Sequence, residues 1–219
     1  MDAKELVSRY ILDKLKEPQI IGLGTGRTVK KLIEVMNNEN LIKGKLFIAS
    51  SIDTELEISS KGGTVLSLFS GIKPTIYIDS FDYVTSDKIM IKGGGAALLR
   101  EKMLYYFSPI KIFIGEEQKM KDSSIYPVPV EVVPVGVSYV VSLLKERGYE
   151  VMVRESNGKI GPIISDNGNI IIDVMVRRES LCNFDKEVKI IPSVVETGVF
   201  CGKDYEIYLA NENGRITAL

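Results

Sequence analysis

Four ionisable side chains crowd one stretch of the chain. Asp79 and Asp82 lie in IDSFD (78–82), and Lys92 and Glu101 in IKGGGAALLREK (91–102). The chain has no histidine, which excludes Ser-His-Asp and Cys-His triads. Proton transfer near neutral pH is then left to carboxylates, lysine, tyrosine or thiol. Asp79 and Asp82 follow the strand-like run TIYID. There they can serve as an acid and an orienting acceptor. Taken alone, each also fits an Asx turn closed by its own side chain. Gly93, Gly94 and Gly95 let the backbone approach a ligand closely, and Lys92 brings positive charge to the same place. Glu101 stands six residues past Gly95, about 1.7 turns into a following helix, where it can face the same crevice. Flanked by Arg100 and Lys102, it reads by itself as a solvated salt-bridge face.

A second segment offers anion chemistry. GLGTGRT (22–28) follows an apolar run and opens a helix. Successive backbone N–H groups and the helix N-terminus favour an anion there. Thr25 and Thr28 add hydroxyls, and Arg27 a charge. The segment lacks GxxxxGK[ST] and fails GxGxxG at Arg27, so a single phosphate fits better than a dinucleotide. An ordinary tight turn gives the same letters. Ser50 and Ser51 end the next strand. They can line the same crevice, although capping a helix is their commoner use.

The elements that must position these residues alternate. Residues 2–16 carry Leu6, Tyr10, Ile11 and Leu15 at helical spacing, and Pro18 ends that helix. Strands are expected at QIIGLG (19–24), KLFIAS (45–50), TVLSLF (64–69), TIYID (75–79) and IKIFIG (110–115). Helices are expected at 29–38, after an Asp53 N-cap, and at about 96–107. Such alternation specifies a parallel α/β sheet covered on both faces, with ligands beyond the carboxyl ends of its strands. EEQKMKDSS, from residue 116, is a surface connection. An extended segment at 127–134, a helix at 137–147 and strands at 149–154 and 169–176 form a small α+β unit, with Asp166–Asn169 as a turn. The last strands, joined by a hairpin loop at 211–214, return to the first domain.

Composition bounds the function. With 219 residues, 45% hydrophobic and 26% charged, the chain can build a sizeable core. A net charge of −1 gives no global attraction to nucleic acid or to an acidic membrane. The N-terminus has an amphipathic helical pattern rather than that of a signal peptide, and no run of about 18 apolar residues occurs. Cys182 and Cys201, with no CxxC and no histidine, make structural zinc improbable. They fit buried free thiols in a reducing cytosol.

The motifs together resemble the A-type ribose-5-phosphate isomerases over nearly the whole chain. GLGTGRT is similar to that family's phosphate loop GxGTGST, SSIDTE to SSxxTE, IDSFD to DGADE, and IKGGGAALLREK to KGGGGALxREK. YPVPVEVVP, ISDNGNIIIDV and VVETGVF match later motifs in the same order. Arg27 departs from the family's serine, Ser80 and Phe81 from Gly-Ala, and Tyr83 from glutamate.

The resemblance implies reversible isomerisation of ribose 5-phosphate to ribulose 5-phosphate through a cis-enediol(ate), in the non-oxidative pentose phosphate pathway. It implies no cofactor and no metal. Glu101 is then the base, Asp79 assists ring opening or exchanges protons with the sugar oxygens, and Asp82 holds hydroxyls, with the aspartate that carries the ring-opening proton left open. Lys92 and the glycines Gly93, Gly94 and Gly95 stabilise the enediolate. Thr25, Gly26, Arg27 and Thr28 hold phosphate. Ser50, Ser51, Ser80 and Phe81 line the substrate. The lysine before PVPVEV corresponds to Lys119, with Lys121 as the competitor. The implied fold is a Rossmann-like parallel-sheet domain (1–123 and 198–219) with a smaller ferredoxin-like α+β domain (124–197). The expected protein is a cytoplasmic homodimer or homotetramer that takes a small sugar phosphate and has no nucleic-acid or membrane partner. A sugar-phosphate-sensing domain of a regulator and a different sugar-phosphate isomerase or deaminase are the competing functions.

Overall fold

The computed structural model describes residues 2–17, 20–156 and 158–219. Helix α1 (Ala3–Tyr10) leads to strand β1 (Ile20–Leu23), α2 (Arg27–Asn38), β2 (Leu46–Ala49), α3 (Ile52–Ser60), β3 (Thr64–Val65) and β4 (Ile76–Asp79). Short strands β5 (Tyr83–Val84) and β6 (Met90–Ile91) precede α4 (Leu98–Phe107) and β7 (Ile110–Glu116). Then come β8 (Ile125–Val132), α5 (Val137–Glu146), β9 (Glu150–Val153), β10 (Glu155–Ser156), β11 (Lys159–Pro162) and β12 (Ile170–Arg177). Helix α6 (Leu181–Val188), β13 (Val194–Thr197), β14 (Val199–Phe200), β15 (Glu206–Ala210) and β16 (Ile216–Ala218) complete the order. Two compact units result: residues 1–81, 100–120 and 202–219, and residues 82–99 and 121–201.

The first unit holds a seven-stranded sheet in the order β16-β15-β7-β4-β1-β2-β3. All neighbours are parallel except the closing β15–β16 hairpin. Buried on both faces, the strands are continuous apolar runs: Ile21 and Leu23 in β1, Phe47 and Ile48 in β2, Ile112 to Ile114 in β7. Val7 and Ile11 from the N-terminal helical segment, and Leu32, Ile33 and Met36 of α2, join that core. From β1 the order runs through β2 to β3 on one side and through β4 to β7 on the other. The switch point falls between β1 and β4, where open α/β sheets bind ligands.

The second unit runs β8-α5-β9-β12-α6-β13, the β-α-β-β-α-β ferredoxin-like order. Its four-stranded antiparallel sheet is ordered β13-β8-β12-β9. Val128, Val130 and Val132 alternate with Pro127, Pro129 and Glu131, so one face is apolar. That face packs on Val140 and Leu144 of α5 and on Leu181, Phe184 and Val188 of α6. A separate three-stranded sheet, β14-β6-β5, brings residues 82–99 into this unit.

Several expectations need correcting. Residues 181–188 form a helix that was not anticipated. Of TVLSLF, only Thr64 and Val65 are strand, and a 3-10 turn follows at Leu68–Ser70. Ser51, not Asp53, caps α3, accepting from Thr54 N at 3.2 Å, while Asp53 pairs with Lys30 at the surface. Cys182 and Cys201 are not free thiols: they form a disulfide that ties α6 to the chain after β14. Pro18, expected to end the first helix, lies outside the described residues. Among the described residues no helix is long and apolar enough to cross a membrane.

Candidate active site

The carboxyl ends of β1, β2 and β4 converge in the first unit. The chain leaves β1 through Gly24, whose N–H bonds Ile78 O at 2.9 Å. A β-carbon at Gly24 would overlap the Asp79 carboxylate, so only glycine lets the turn pass. Gly26 (φ +117) then starts α2. The first turn of α2 contains no acidic residue and places Arg27 exposed and Thr28 buried. The positive end of the helix field is thus left for an anion. Thr25 Oγ1 lies 2.7 Å from Ser50 Oγ and 2.8 Å from Ser51 Oγ. Both serines are buried, and Ser51 also caps α3. The two serine positions therefore fix the threonine of the turn.

Asp79 is fully buried at the end of β4. Its Oδ1 accepts from Ser80 N at 2.6 Å and Thr25 N at 3.3 Å, and its Oδ2 from the Tyr77 hydroxyl. Strand periodicity puts Tyr77 and Asp79 on one face. Burial pushes the Tyr77 phenol well above its ordinary 10.0, and the charges of Asp79 and Glu101 and the bond to Asp79 push it further. Tyr77 therefore stays a neutral donor to the carboxylate. Glu101, in the first turn of α4, is 3% exposed, so it is not part of a solvated salt-bridge face. Its charge is among those that hold the Tyr77 phenol up, after burial and the charge of Asp79. Phe81 is buried beneath Gly115. Lys119 Nζ donates to Phe81 O at 2.8 Å and lies 5.7 Å from that ring's centroid. Lys121 is exposed instead.

In the second unit, Lys92 is 2% exposed, with Nζ 5.7 Å from the centroid of the Phe200 ring. Its N–H donates to Gly198 O at 2.8 Å. A β-carbon at Gly198 would strike Lys92 O, which explains the glycine of VVETGVF. Gly93 (φ +105) turns the chain where a β-carbon would lie 2.9 Å from Leu98 Cδ2. Gly94 N donates to Asp82 Oδ2 at 2.7 Å.

The anticipated residues thus fall in two sets. Thr25 to Thr28, Ser50, Ser51, Asp79, Ser80, Phe81, Glu101 and Lys119 belong to the first unit, and Asp82, Lys92 and Gly93 to Gly95 to the second. Sequence reasoning missed Tyr77, although its spacing of two from Asp79 in a strand was the available signal. It also missed Arg154 and Asp173, whose pairing depends on strand register.

Residues 46–214 match the model of the ribose 5-phosphate isomerase A (phosphoriboisomerase A) family. The ribose-5-phosphate isomerase A of Korarchaeum cryptofilum (strain OPF8) is 34% identical over 203 residues, 91% of this chain and 89% of that protein. The solved ribose 5-phosphate isomerase A of Methanocaldococcus jannaschii is 29% identical with a TM-score of 0.89, covering 99% of this chain and 97% of that one. A D-ribose-5-phosphate isomerase solved in complex with phospho-erythronic acid gives a TM-score of 0.91 at 27% identity, with the same coverage. Matched in sequence and in fold over nearly its whole length, the chain belongs to the ribose 5-phosphate isomerase A family.

Proposed function

We propose that the chain interconverts D-ribose 5-phosphate and D-ribulose 5-phosphate, with Glu101 as the base. The observation that carries this reading is the burial of Glu101 at the start of α4, in the same compact unit as the Tyr77-bound Asp79. In the aldose-to-ketose direction, Asp79 assists opening of the sugar ring. Glu101 removes the proton from C2, and the electron pair forms the C1–C2 double bond of a cis-enediolate as charge develops on the oxygen at C1. Lys92 and the amides of Gly93 and Gly95 stabilise that charge, while Gly94 gives its N–H to Asp82. The proton returns from Glu101 to C1, the hydroxyl at C2 passes its proton to the oxygen at C1, and the ketone forms.

Thr25, Gly26, Arg27 and Thr28 hold the phosphate, with Ser50 and Ser51 acting through Thr25. Holding the phosphate orients the distant carbons. Asp82, Ser80, Phe81 and Lys119 line the sugar, and the Lys119–Phe81 bond supports Lys119 over Lys121. The proposed domains are a catalytic Rossmann-like one at 1–123 with 198–219 and a smaller one at 124–197; the compact units differ in grouping 82–99, 121–123 and 198–201 with the second.

The reading includes a cytoplasmic homodimer or homotetramer in the non-oxidative pentose phosphate pathway, with neither nucleic acid nor membrane as partner. Its test is the isomerase assay on protein treated with a chelator. Full turnover is expected after metal removal. Loss of activity on chelation, or none beforehand, would overturn the metal-free mechanism.

A further inference from the structure

We propose that Arg154 and Asp173 form a clamp that sets the Gly93–Gly94 peptide and, through it, the Asp82 carboxylate. They are positioning residues for the isomerisation, and the inference rests on the function proposed above. Arg154 follows β9, with its N–H on Ile171 O at 2.9 Å and its carbonyl accepting from Ile163 N at 2.9 Å. Asp173 sits within β12, opposite Met152 of β9 and Pro129 of β8. Neighbouring strands thus hold both partners at the backbone. Arg154 Nε donates to Asp173 Oδ2 at 2.7 Å and Nη2 donates to Oδ1. This two-point hold fixes the plane of the guanidinium.

The remaining nitrogen is aimed at the glycine run. Arg154 Nη1 donates to Gly93 O at 2.7 Å and, at 3.3 Å, to Gly94 O. Gly93 O also accepts from Ala96 N at 3.0 Å. The same peptide unit is gripped at its other end, where Gly94 N donates to Asp82 Oδ2 at 2.7 Å. One peptide plane therefore lies between a fixed guanidinium and the carboxylate proposed to take the sugar hydroxyls. Hydrogen bonds in such a series polarise one another, so the grip on the carbonyl strengthens the N–H that orients Asp82. Asp82, Gly94, Arg154 and Asp173 all line one cavity of about 350 Å³, so the clamp borders space that a ligand can enter. An ion pair that served only to join β9 to β12 would not need the third nitrogen on a glycine carbonyl.

The test compares Arg154→Lys, Asp173→Asn, Asp82→Asn and the Arg154→Lys/Asp82→Asn double variant. Lysine keeps the charge but cannot bridge carboxylate and carbonyl in one plane. If Arg154→Lys does not fold, Asp173→Asn, which keeps the side-chain shape, takes its place. We expect kcat/KM to fall roughly 10- to 100-fold, the size of loss a small displacement in a site produces. Phospho-erythronic acid should bind more weakly, while inorganic phosphate binds as before. The double variant should be no worse than Asp82→Asn alone, because both changes cut one connection.

Normal kcat/KM in Arg154→Lys, or losses that multiply in the double variant, would overturn the clamp. An unsubstituted protein that neither turns over ribose 5-phosphate nor binds phospho-erythronic acid would remove the reaction and the clamp with it. Normal turnover beside an unimpaired Arg154→Lys would remove the clamp alone.

Discussion

Asp79 is bounded by three choices: glycine at 24 gives it room, Ser80 N and Thr25 N bond one oxygen, and the Tyr77 hydroxyl bonds the other. Tyr77 is the least obvious of these. Its phenol is held far above 10.0, chiefly by burial. The neutral form is favoured in the folded chain, so the stabilisation is complete below the unfolded value of about 10 and is lost as pH rises beyond it. We therefore expect stability of the native protein to fall steeply above about pH 10. Tyr77→Phe, which cannot ionise, should flatten that alkaline limb while losing the bond to Asp79. Chemical unfolding measured across pH 8 to 12 checks this, and identical alkaline limbs in the two proteins would remove Tyr77 as their source.

Among the elements, α6 is the least anticipated. Leu181, Phe184 and Val188 supply its buried face, at spacings of three and four. The pattern lies in the sequence, but the helix spans only two turns, and strand-like runs on either side, IIIDVMV and SVVETGVF, dominate the reading. Without α6, nothing brings Cys182 near Cys201, and two thiols were the natural expectation. The disulfide closes a loop across a separation of 19 residues. A loop of that size is worth about 3 kcal/mol in the chain-entropy account. Cys182→Ser should lower the melting temperature, and reductant should bring the native protein down to the variant while leaving the variant unmoved. Equal melting temperatures without reductant would show that the bond contributes nothing. The apolar face of α6 survives the substitution, so the ferredoxin-like unit should keep its secondary structure by circular dichroism.

Across the whole molecule, legibility followed the range of the interactions. The parallel sheet could be read because strands buried on both faces are continuous apolar runs separated by helical spacing. Asp79, Lys92 and Glu101 could be singled out because each stands at the end of such a run or just after a glycine turn. The inward direction of Glu101 was hidden, since Arg100 and Lys102 give it the local look of a surface residue. Only tertiary packing buries it. Arg154 and Asp173 were hidden for another reason: they lie 19 positions apart, and only the β9–β12 register brings them together.

Glu101 is the group proposed to move the proton between C1 and C2. The direct measurement is exchange of solvent deuterium into C2 of ribose 5-phosphate, followed by nuclear magnetic resonance, in the native protein and in Glu101→Gln. The native protein should wash deuterium into C2 as it isomerises. Glu101→Gln should lose about 10²- to 10⁴-fold in exchange and turnover together, while still binding phospho-erythronic acid. Exchange in Glu101→Gln at close to the native rate would contradict the account.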